Sequence, residues 1–193
     1  MKIKTPLFLL GLGLAMISPA AGAVSMTFTE DGGNVVLTYS GTLDFGTITS
    51  QAELGVNNSV NPSQPSFALG LDSVTDTDRY VNIIANNPIP IYGTGGATAP
   101  TTSTGTIFEF APGGLFLDEY IAVPRGYVNN DPIAGQSVFN GETFASMGLA
   151  PGVTTYDLTT GDSISITVVE PVPEPSTALL GLLGAAALLR RKR

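Results

Sequence analysis

Apolar and polar residues alternate with a period of two where the central part of the chain begins. Val24, Met26 and Phe28 alternate with Ser and Thr, and an apolar-rich run returns after Asp31–Asn34. A period of two is typical of a strand with one buried face. The two glycines between Asp31 and Asn34 suit a tight turn that needs positive φ. The pattern therefore predicts a β-hairpin over residues 24–40.

Short apolar runs separated by turn residues continue along the chain. Further strands are predicted at residues 41–45, 66–71, 79–85, 106–110, 115–123, 137–139 and 163–169. Residues 57–65 and 86–103, rich in Gly, Pro and Asn, are predicted loops, the second either mobile or functional. One short helical turn is expected within Thr143–Leu149. This arrangement predicts an all-β body, an antiparallel β-sandwich or jelly-roll-like fold.

The N-terminal residues have the three-part layout of a secretory signal peptide. Lys2 and Lys4 precede an apolar run of 12 residues, Pro6–Ile17, and small residues follow it. The run is too short for a comfortable membrane span of about 20 residues. We therefore expect a signal helix that is removed on export, rather than a buried helix or a membrane anchor.

The predicted cleavage site follows from the small residues after the apolar run. Ala21-Gly22-Ala23 fits the small-x-small rule of signal peptidase, which predicts a cut between Ala23 and Val24. A cut after Ala20 is the second choice. The predicted organisation is a signal peptide at residues 1–23, a body at 24–171 and a tail at 172–193.

The tail combines a proline-rich motif, an apolar helix and a basic end. The motif is followed by the 12 apolar residues Ala178–Leu189, which span about 18 Å as a helix, against a hydrocarbon core of roughly 30 Å. The basic end favours the cytoplasmic side. This predicts a short transmembrane helix that acts as a transient retention signal. The motif residues are Val172, Pro173, Glu174, Pro175, Ser176 and Thr177, and the basic stop is Arg190, Arg191, Lys192 and Arg193.

This tail resembles the PEP-CTERM protein-sorting tail, which is also called an ice-binding protein C-terminal domain. The resemblance covers residues 172–193, and it implies recognition of Pro173, Glu174 and Pro175 by the membrane protease-transpeptidase exosortase. It also implies a Gram-negative bacterium that makes extracellular polysaccharide. It does not imply ice binding, because only the tail is shared. An ordinary single-pass anchor is the alternative.

A second resemblance lies just before the tail. Thr143–Gly152, with Thr155-Tyr156 and Gly161–Ile164 after it, is similar to the closing segment of many small PEP-CTERM proteins of unknown function. The resemblance implies a shared β architecture and carries no activity.

Composition and charge exclude several classes of function. The chain has no Cys and no His, which excludes disulfides, thiolate zinc sites and a Ser-His-Asp triad. Six of the eight Lys and Arg residues lie in the two terminal segments, so residues 24–171 carry a net charge of −13. Such an acidic body is a poor nucleic-acid binder. We therefore expect a protein that is not an enzyme.

Three candidate sites remain in the body. Asp72, Asp76 and Asp78 are a weak calcium candidate, since the spacing is not that of an EF-hand and a solvated acidic turn explains it as well. Otherwise no cofactor is expected. Asp118-Glu119 is a candidate acid/base pair for glycoside cleavage.

The third candidate is a sugar-stacking surface of tyrosines, against their ordinary role in strands and core. Those tyrosines are Tyr80, Tyr92, Tyr120, Tyr127 and Tyr156. The two body cations, Arg79 and Arg125, are each expected to pair with a nearby Asp, such as Arg79 with Asp78 or Asp76.

The function predicted from the sequence is that of an exported, non-catalytic envelope or extracellular-matrix protein associated with exopolysaccharide or biofilm. The alternatives are a polysaccharide-binding β-sandwich module, with or without calcium, and a secreted hydrolase. The expected partners are signal peptidase, an exosortase-type enzyme, the inner membrane transiently, and exopolysaccharide. We expect export by the general secretory route, an inner-membrane-anchored precursor, and final delivery to the envelope or the medium.

Overall fold

The computed structural model describes residues 22–54, 57–70, 76–86, 88–111, 113 and 119–170. The predicted signal helix and C-terminal helix lie outside these residues. The strands in chain order are β1 (Ala23–Asp31), β2 (Asn34–Gly41), β3 (Gln51–Leu54), β4 (Ser59–Asn61), β5 (Ser66–Leu69), β6 (Asp76–Val81), β7 (Thr102–Gly105), β8 (Phe108–Ala111), β9 (Tyr120–Pro124), β10 (Ile133–Asn140), β11 (Gly152–Asp157) and β12 (Ser163–Val168). One helical turn, α1 (Phe144–Met147), precedes β11. The prediction of an all-β body is confirmed.

The strands form two six-stranded sheets that share one hydrophobic core. One sheet has the order β11-β12-β1-β2-β10-β7, and the other has the order β3-β6-β9-β8-β5-β4. The first and last strands are neighbours, and they run parallel from Ala23↔Ser163 to Phe28↔Val168. The predicted antiparallel arrangement holds for the other strand pairs of the described residues, and this pair departs from it. The pair joins the two ends of the body within one sheet.

The predicted N-terminal hairpin is confirmed as β1 and β2. Their register runs from Val24↔Gly41 to Asp31↔Asn34. Met26, Phe28 and Leu37 are buried in the core, as their alternation with polar residues requires. Gly32 and Gly33 both have positive φ, which glycine adopts without steric cost.

The core between the sheets is rich in aromatic rings. Phe45 and Tyr80 stack with their ring centroids 3.7 Å apart, and the Tyr127 ring meets Phe45 edge-on. Stacked and edge-on rings are the favoured arrangements of aromatic pairs. Since full burial of a Phe-sized side chain contributes roughly 1.5–3 kcal/mol, these rings account for much of the stability of this region.

The predicted loop 86–103 connects the two sheets, and its last residues belong to β7. Thr98 exchanges two backbone hydrogen bonds with Val60 of β4, and the Ala150 N–H donates to the carbonyl of Tyr92 near β11. The segment thus joins the open edge of one sheet to the open edge of the other. It also lies against α1, since a Cβ added at Gly95 would stand 1.8 Å from the Met147 carbonyl oxygen.

Three other predictions from the sequence are wrong in part. Residues 42–45, after the end of β2 at Gly41, are not a strand, because the N–H groups of Leu43 and Phe45 bond to the side chains of Tyr127 and Asn129 instead of a neighbouring strand. The strand predicted at 79–85 is β6, and it ends before Asn82, whose φ of 56 lies in the left-handed region. The predicted loop 57–65 contains β4.

The helical turn predicted within 143–149 is confirmed as α1. The Thr143 hydroxyl accepts a hydrogen bond from the Ser146 N–H, which caps the first turn. Gly148 ends the helix with a φ of 63, the left-handed conformation common after helices. The Phe144 N–H donates to a Glu30 carboxylate oxygen, so α1 is tied to the end of β1.

Candidate functional site

The last strand leaves the body from the middle of a sheet. β12 lies between β11 and β1, and the Val169 N–H donates to the Phe28 carbonyl at 3.1 Å. Val169 is 38% exposed and Glu170 is exposed, so the chain leaves the sheet there. The tail is therefore attached to a central strand of the body and follows it directly in the sequence.

The first strand enters the same sheet beside a buried carboxylate. Asp162 is 4% exposed, and its two oxygens accept hydrogen bonds from the Gly22 N–H at 2.7 Å and the Asp44 N–H at 2.5 Å. These bonds satisfy the carboxylate, which would otherwise be costly to bury. Asp162 thus ties the first described residue to the loop after β2. Sequence reasoning missed it, because an Asp after Gly161 looks like an ordinary turn residue.

A polar cluster lies on the outer face of the sheet that contains β6 and β9. The Arg79 Nη1 donates to the Glu53 Oε2 at 2.6 Å, and the guanidinium carbon lies 3.9 Å from the centre of the Tyr120 ring. Glu109 lies on the same face and is buried. An ion pair combined with a cation–π contact fixes the arginine in one orientation. Burial raises the pKa of Tyr120, the charge of Glu109 adds to the rise, and Arg79 lowers the pKa.

The comparisons with known proteins identify the end of the chain. Residues 171–193 match the family model of the PEP-CTERM protein-sorting motif. The chain carries a PEP-CTERM tail. No curated protein matches the chain, and no solved structure does. The match therefore concerns the tail alone.

The PEP-CTERM tail indicates an exported protein that an exosortase-type enzyme sorts and processes. The predicted motif Val172–Thr177 and the basic stop Arg190–Arg193 both fall within the matched residues. They lie outside the residues that the structure describes, as does most of the predicted signal peptide. Within the described part of the chain, no helix has the length and apolar character needed to cross a membrane.

The predicted cleavage site falls at the start of the first strand. Gly22 and Ala23 are hydrogen-bonded residues of the folded body, and Val24 is completely buried. The predicted boundary between Ala23 and Val24 therefore lies inside β1. Ala21 is outside the described residues.

The calcium candidate is not assembled in the described residues. Asp72 lies outside them, and Asp76 is exposed in β6. The Asp78 carboxylate accepts a hydrogen bond from the Gly126 N–H at 2.8 Å and lies 3.6 Å from the Arg125 Nε. No group of three or more carboxylates that could hold a metal ion occurs among the described residues. Calcium binding stays a prediction.

Of the acid/base candidate, the structure describes Glu119 and leaves out Asp118. The Glu119 carboxylate accepts a hydrogen bond from the Ile84 N–H at 3.1 Å, and its carbonyl accepts one from the Asn82 N–H. Both contacts hold the end of β6 against the start of β9. This arrangement gives the Glu119 carboxylate a structural role.

The predicted partner of Arg79 is wrong, because Arg79 pairs with Glu53. Successive side chains of a strand point to opposite faces, so Asp78 and Arg79 diverge. Glu53 lies on the neighbouring strand, diagonal to Arg79 on the same face. Only the register of β3 against β6 brings them together, and no pattern in the sequence shows that register.

Five of the six tyrosines lie in or against the core, and Tyr120 lies on the outer face of its sheet against Arg79. Tyr39, Tyr80, Tyr92 and Tyr156 are buried, and Tyr120 and Tyr127 are half-buried. The Tyr156 hydroxyl donates to the Pro90 carbonyl, and the Tyr92 hydroxyl donates to the Ser66 carbonyl. Of the tyrosines named as sugar-stacking candidates, Tyr92 and Tyr156 therefore hold the segment 86–103 in place, and none of the five is exposed.

Proposed function

We propose that this protein is a non-catalytic component of the cell envelope or extracellular matrix, delivered there by its PEP-CTERM tail. The host is a Gram-negative bacterium that makes exopolysaccharide, and the body becomes part of that matrix or biofilm. The precursor is held in the inner membrane by Ala178–Leu189 until the exosortase-type enzyme acts on it. Signal peptidase removes the leader during export.

The observation that carries the proposal is the position of the sorting motif relative to the fold. The match begins at residue 171, directly after Glu170, the last described residue that follows β12. Among the described residues, the strands of both sheets end before the motif begins. A sorting enzyme can therefore act on the tail without disturbing the core.

The composition of the body supports a structural role over a catalytic one. The chain offers no His and no Cys, the side chains that most often supply a base or a nucleophile near neutral pH. The Glu119 carboxylate accepts a hydrogen bond from the backbone N–H of Ile84. A net charge of −13 between residues 24 and 171 keeps copies of the body apart after export.

The placement of the tyrosines supports the matrix role over a polysaccharide-binding module. A module that stacks sugars on an aromatic platform needs several aromatic rings on one exposed face. The six tyrosines of this chain are buried or half-buried. We therefore propose that any association with polysaccharide does not depend on a tyrosine platform.

The test separates the motif from the apolar helix that follows it. We would compare the full chain with a variant that lacks residues 172–193 and with Pro173→Ala/Glu174→Ala/Pro175→Ala, which keeps the helix and the basic end. Ser176→Ala is the matched control, because it lies in the same segment outside the Pro-Glu-Pro core. All four are fractionated from strains with and without the exosortase-type enzyme.

The proposal expects the full chain and Ser176→Ala to reach the envelope or medium only when the enzyme is present. The triple variant should stay in the inner membrane in both strains, and the truncated chain should pass to the periplasm or medium in both. Equal distribution of all four proteins, whatever the strain, would contradict the sorting role.

A further inference from the structure

We infer that the mature protein begins at Ala21, so that Gly22 and Ala23 remain in the exported body. Three positions satisfy the small-x-small rule: after Ala23, after Gly22, where Ala20 is the first small residue, and after Ala20, where Ser18 is the first small residue. The inference rests on the proposed export of the chain. It concerns which of these peptide bonds is cut, and the fold distinguishes them.

The first argument is the set of hydrogen bonds that Gly22 and Ala23 make. The Gly22 N–H donates to the buried Asp162 carboxylate at 2.7 Å, and its carbonyl accepts from the Ser163 N–H at 3.2 Å. The Ala23 carbonyl accepts from the Thr42 N–H at 3.2 Å. A cut after Ala23 removes all three bonds and a cut after Gly22 removes two of them, whereas a cut after Ala20 keeps all three.

The second argument concerns where the new ammonium group would lie. A cut after Ala23 places it on Val24, which is 0% exposed between β12 and β2. A charge buried in a strand without a partner is strongly unfavourable. A cut after Ala20 places it on Ala21, one residue before the N–H group that meets the Asp162 carboxylate.

The third argument is the space around Gly22. A Cβ added there would lie 2.7 Å from the Asp162 Oδ2 and 2.8 Å from the Thr42 carbonyl oxygen. The middle residue of a small-x-small site is unrestricted, so signal peptidase does not require glycine at position 22. The fold does require it, because no larger residue fits. A glycine that the folded body needs belongs to the mature chain.

The direct test is the first residue of the exported protein. The full chain is expressed in a host with a general secretory pathway, and the exported form is analysed by N-terminal sequencing and intact mass. A start at Ala21 supports the inference. Any other start, Val24 above all, overturns it. A chain that keeps Met1 overturns it too, and that outcome also contradicts the proposed export.

A matched pair of glycine variants tests the same inference through stability. Gly22→Ala keeps the small-x-small pattern and should lower the melting temperature of the exported protein by about 5 °C, because the added methyl group crowds Asp162 and Thr42. Gly96→Ala is the control, since nothing lies within 4 Å of a Cβ added there. Equal melting temperatures for Gly22→Ala and the unmodified protein would mean that the mature body lacks Gly22, and would overturn the inference.

Discussion

The two ends of the body are held in very different ways. At the entry to β1, Gly22 and Ala23 make three hydrogen bonds, one of them to a buried carboxylate. At the exit from β12, Val169 makes one backbone hydrogen bond and is 38% exposed, and Glu170 is exposed. The entry is part of the fold, and the exit is a point where the chain can be separated from it. The contrast agrees with the proposed removal of a leader before β1 and the processing of the tail after β12.

The parallel pairing of β1 and β12 separates these two ends in space. Six residue pairs, from Ala23↔Ser163 to Phe28↔Val168, lie between entry and exit. At about 3.3 Å per residue, the ends stand about 17 Å apart along the sheet. The chain therefore enters and leaves the body at opposite ends of the same two strands.

Alkaline pH should have the largest effect on the stability of the body, and it tests whether both ends of the body unfold as one cooperative unit. Burial raises the pKa of Tyr39, Tyr92 and Tyr156 above the ordinary value of 10.0. The unfolded chain ionises near pH 10 while the folded body keeps these phenols neutral. Stability that is complete below pH 10 is therefore lost as the pH rises, by about 1.4 kcal/mol per pH unit for each tyrosine.

Urea unfolding at several values between about pH 8 and about pH 11 measures this loss. The urea concentration at the midpoint should be constant below pH 10 and then fall steeply. The body should unfold in one transition at each pH. Hydrogen exchange at β1 and β12 should report the same transition. A separate, earlier opening of either strand would break the comparison, because the ends would then not share one fold.

Asp162→Ala should lower the free energy of unfolding by about 3 kcal/mol, through the start of β1. It leaves the N–H groups of Gly22 and Asp44 without their charged acceptor in a buried site. Asp157→Ala is the control, because it removes the same charge from an exposed side chain in β11 and should cost less than about 0.5 kcal/mol. Urea unfolding of the two variants measures both losses in free energy. Equal losses would show that the carboxylate of Asp162 does not stabilise the start of β1.

Tyr127→Phe should lower the free energy of unfolding by about 1 kcal/mol, through contacts near the start of β1. The Tyr127 hydroxyl accepts from the Leu43 N–H and contacts the carbonyls of Leu43 and Asp131, so it joins the loop after β2 to the loop after β9. Tyr120→Phe is the matched control, since the contact that Tyr120 makes with Arg79 is made by its ring, which phenylalanine keeps. Thermal unfolding should rank Tyr127→Phe clearly below Tyr120→Phe, and the reverse order would contradict the account of this end.

Removal of the tail should have the smallest effect on the stability of the body. A chain that stops after Glu170 keeps the Val169 hydrogen bond and every strand. We expect its free energy of unfolding to change by less than about 0.5 kcal/mol. A loss of several kcal/mol in the same urea experiment would mean that the tail is part of the fold and not a separable sorting segment.

The sequence predicted the parts of the fold that depend on local signals. The hairpin of β1 and β2 follows from alternation around Gly32-Gly33, and α1 follows from its cap at Thr143 and the glycine at 148. Strands β3, β4 and β7 were missed because each has three or four residues and is stabilised by its neighbours in the sheet. Residues 42–45 look like a strand, but side chains from a distant loop bind their backbone.

The candidate site shows the same division between features with local sequence signals and features that depend on distant contacts. The tail was predicted because its motif, helix and basic end are consecutive in the sequence. The role of Asp162 was not predicted, because it acts on Gly22, 140 residues away along the chain. The parallel pairing of β1 with β12 creates that contact, and no local pattern shows which strands of a body will be neighbours.

Intact mass and terminal sequencing of the protein from strains with and without the exosortase-type enzyme test the central claim most directly. With the enzyme, the account predicts an envelope or extracellular species that begins at Ala21 and lacks the basic end Arg190–Arg193. Without it, the same start should occur on a membrane-bound species that keeps the whole tail. A protein that keeps residues 172–193 in both strains, with the same distribution, would contradict the claim that the PEP-CTERM tail determines where this body goes.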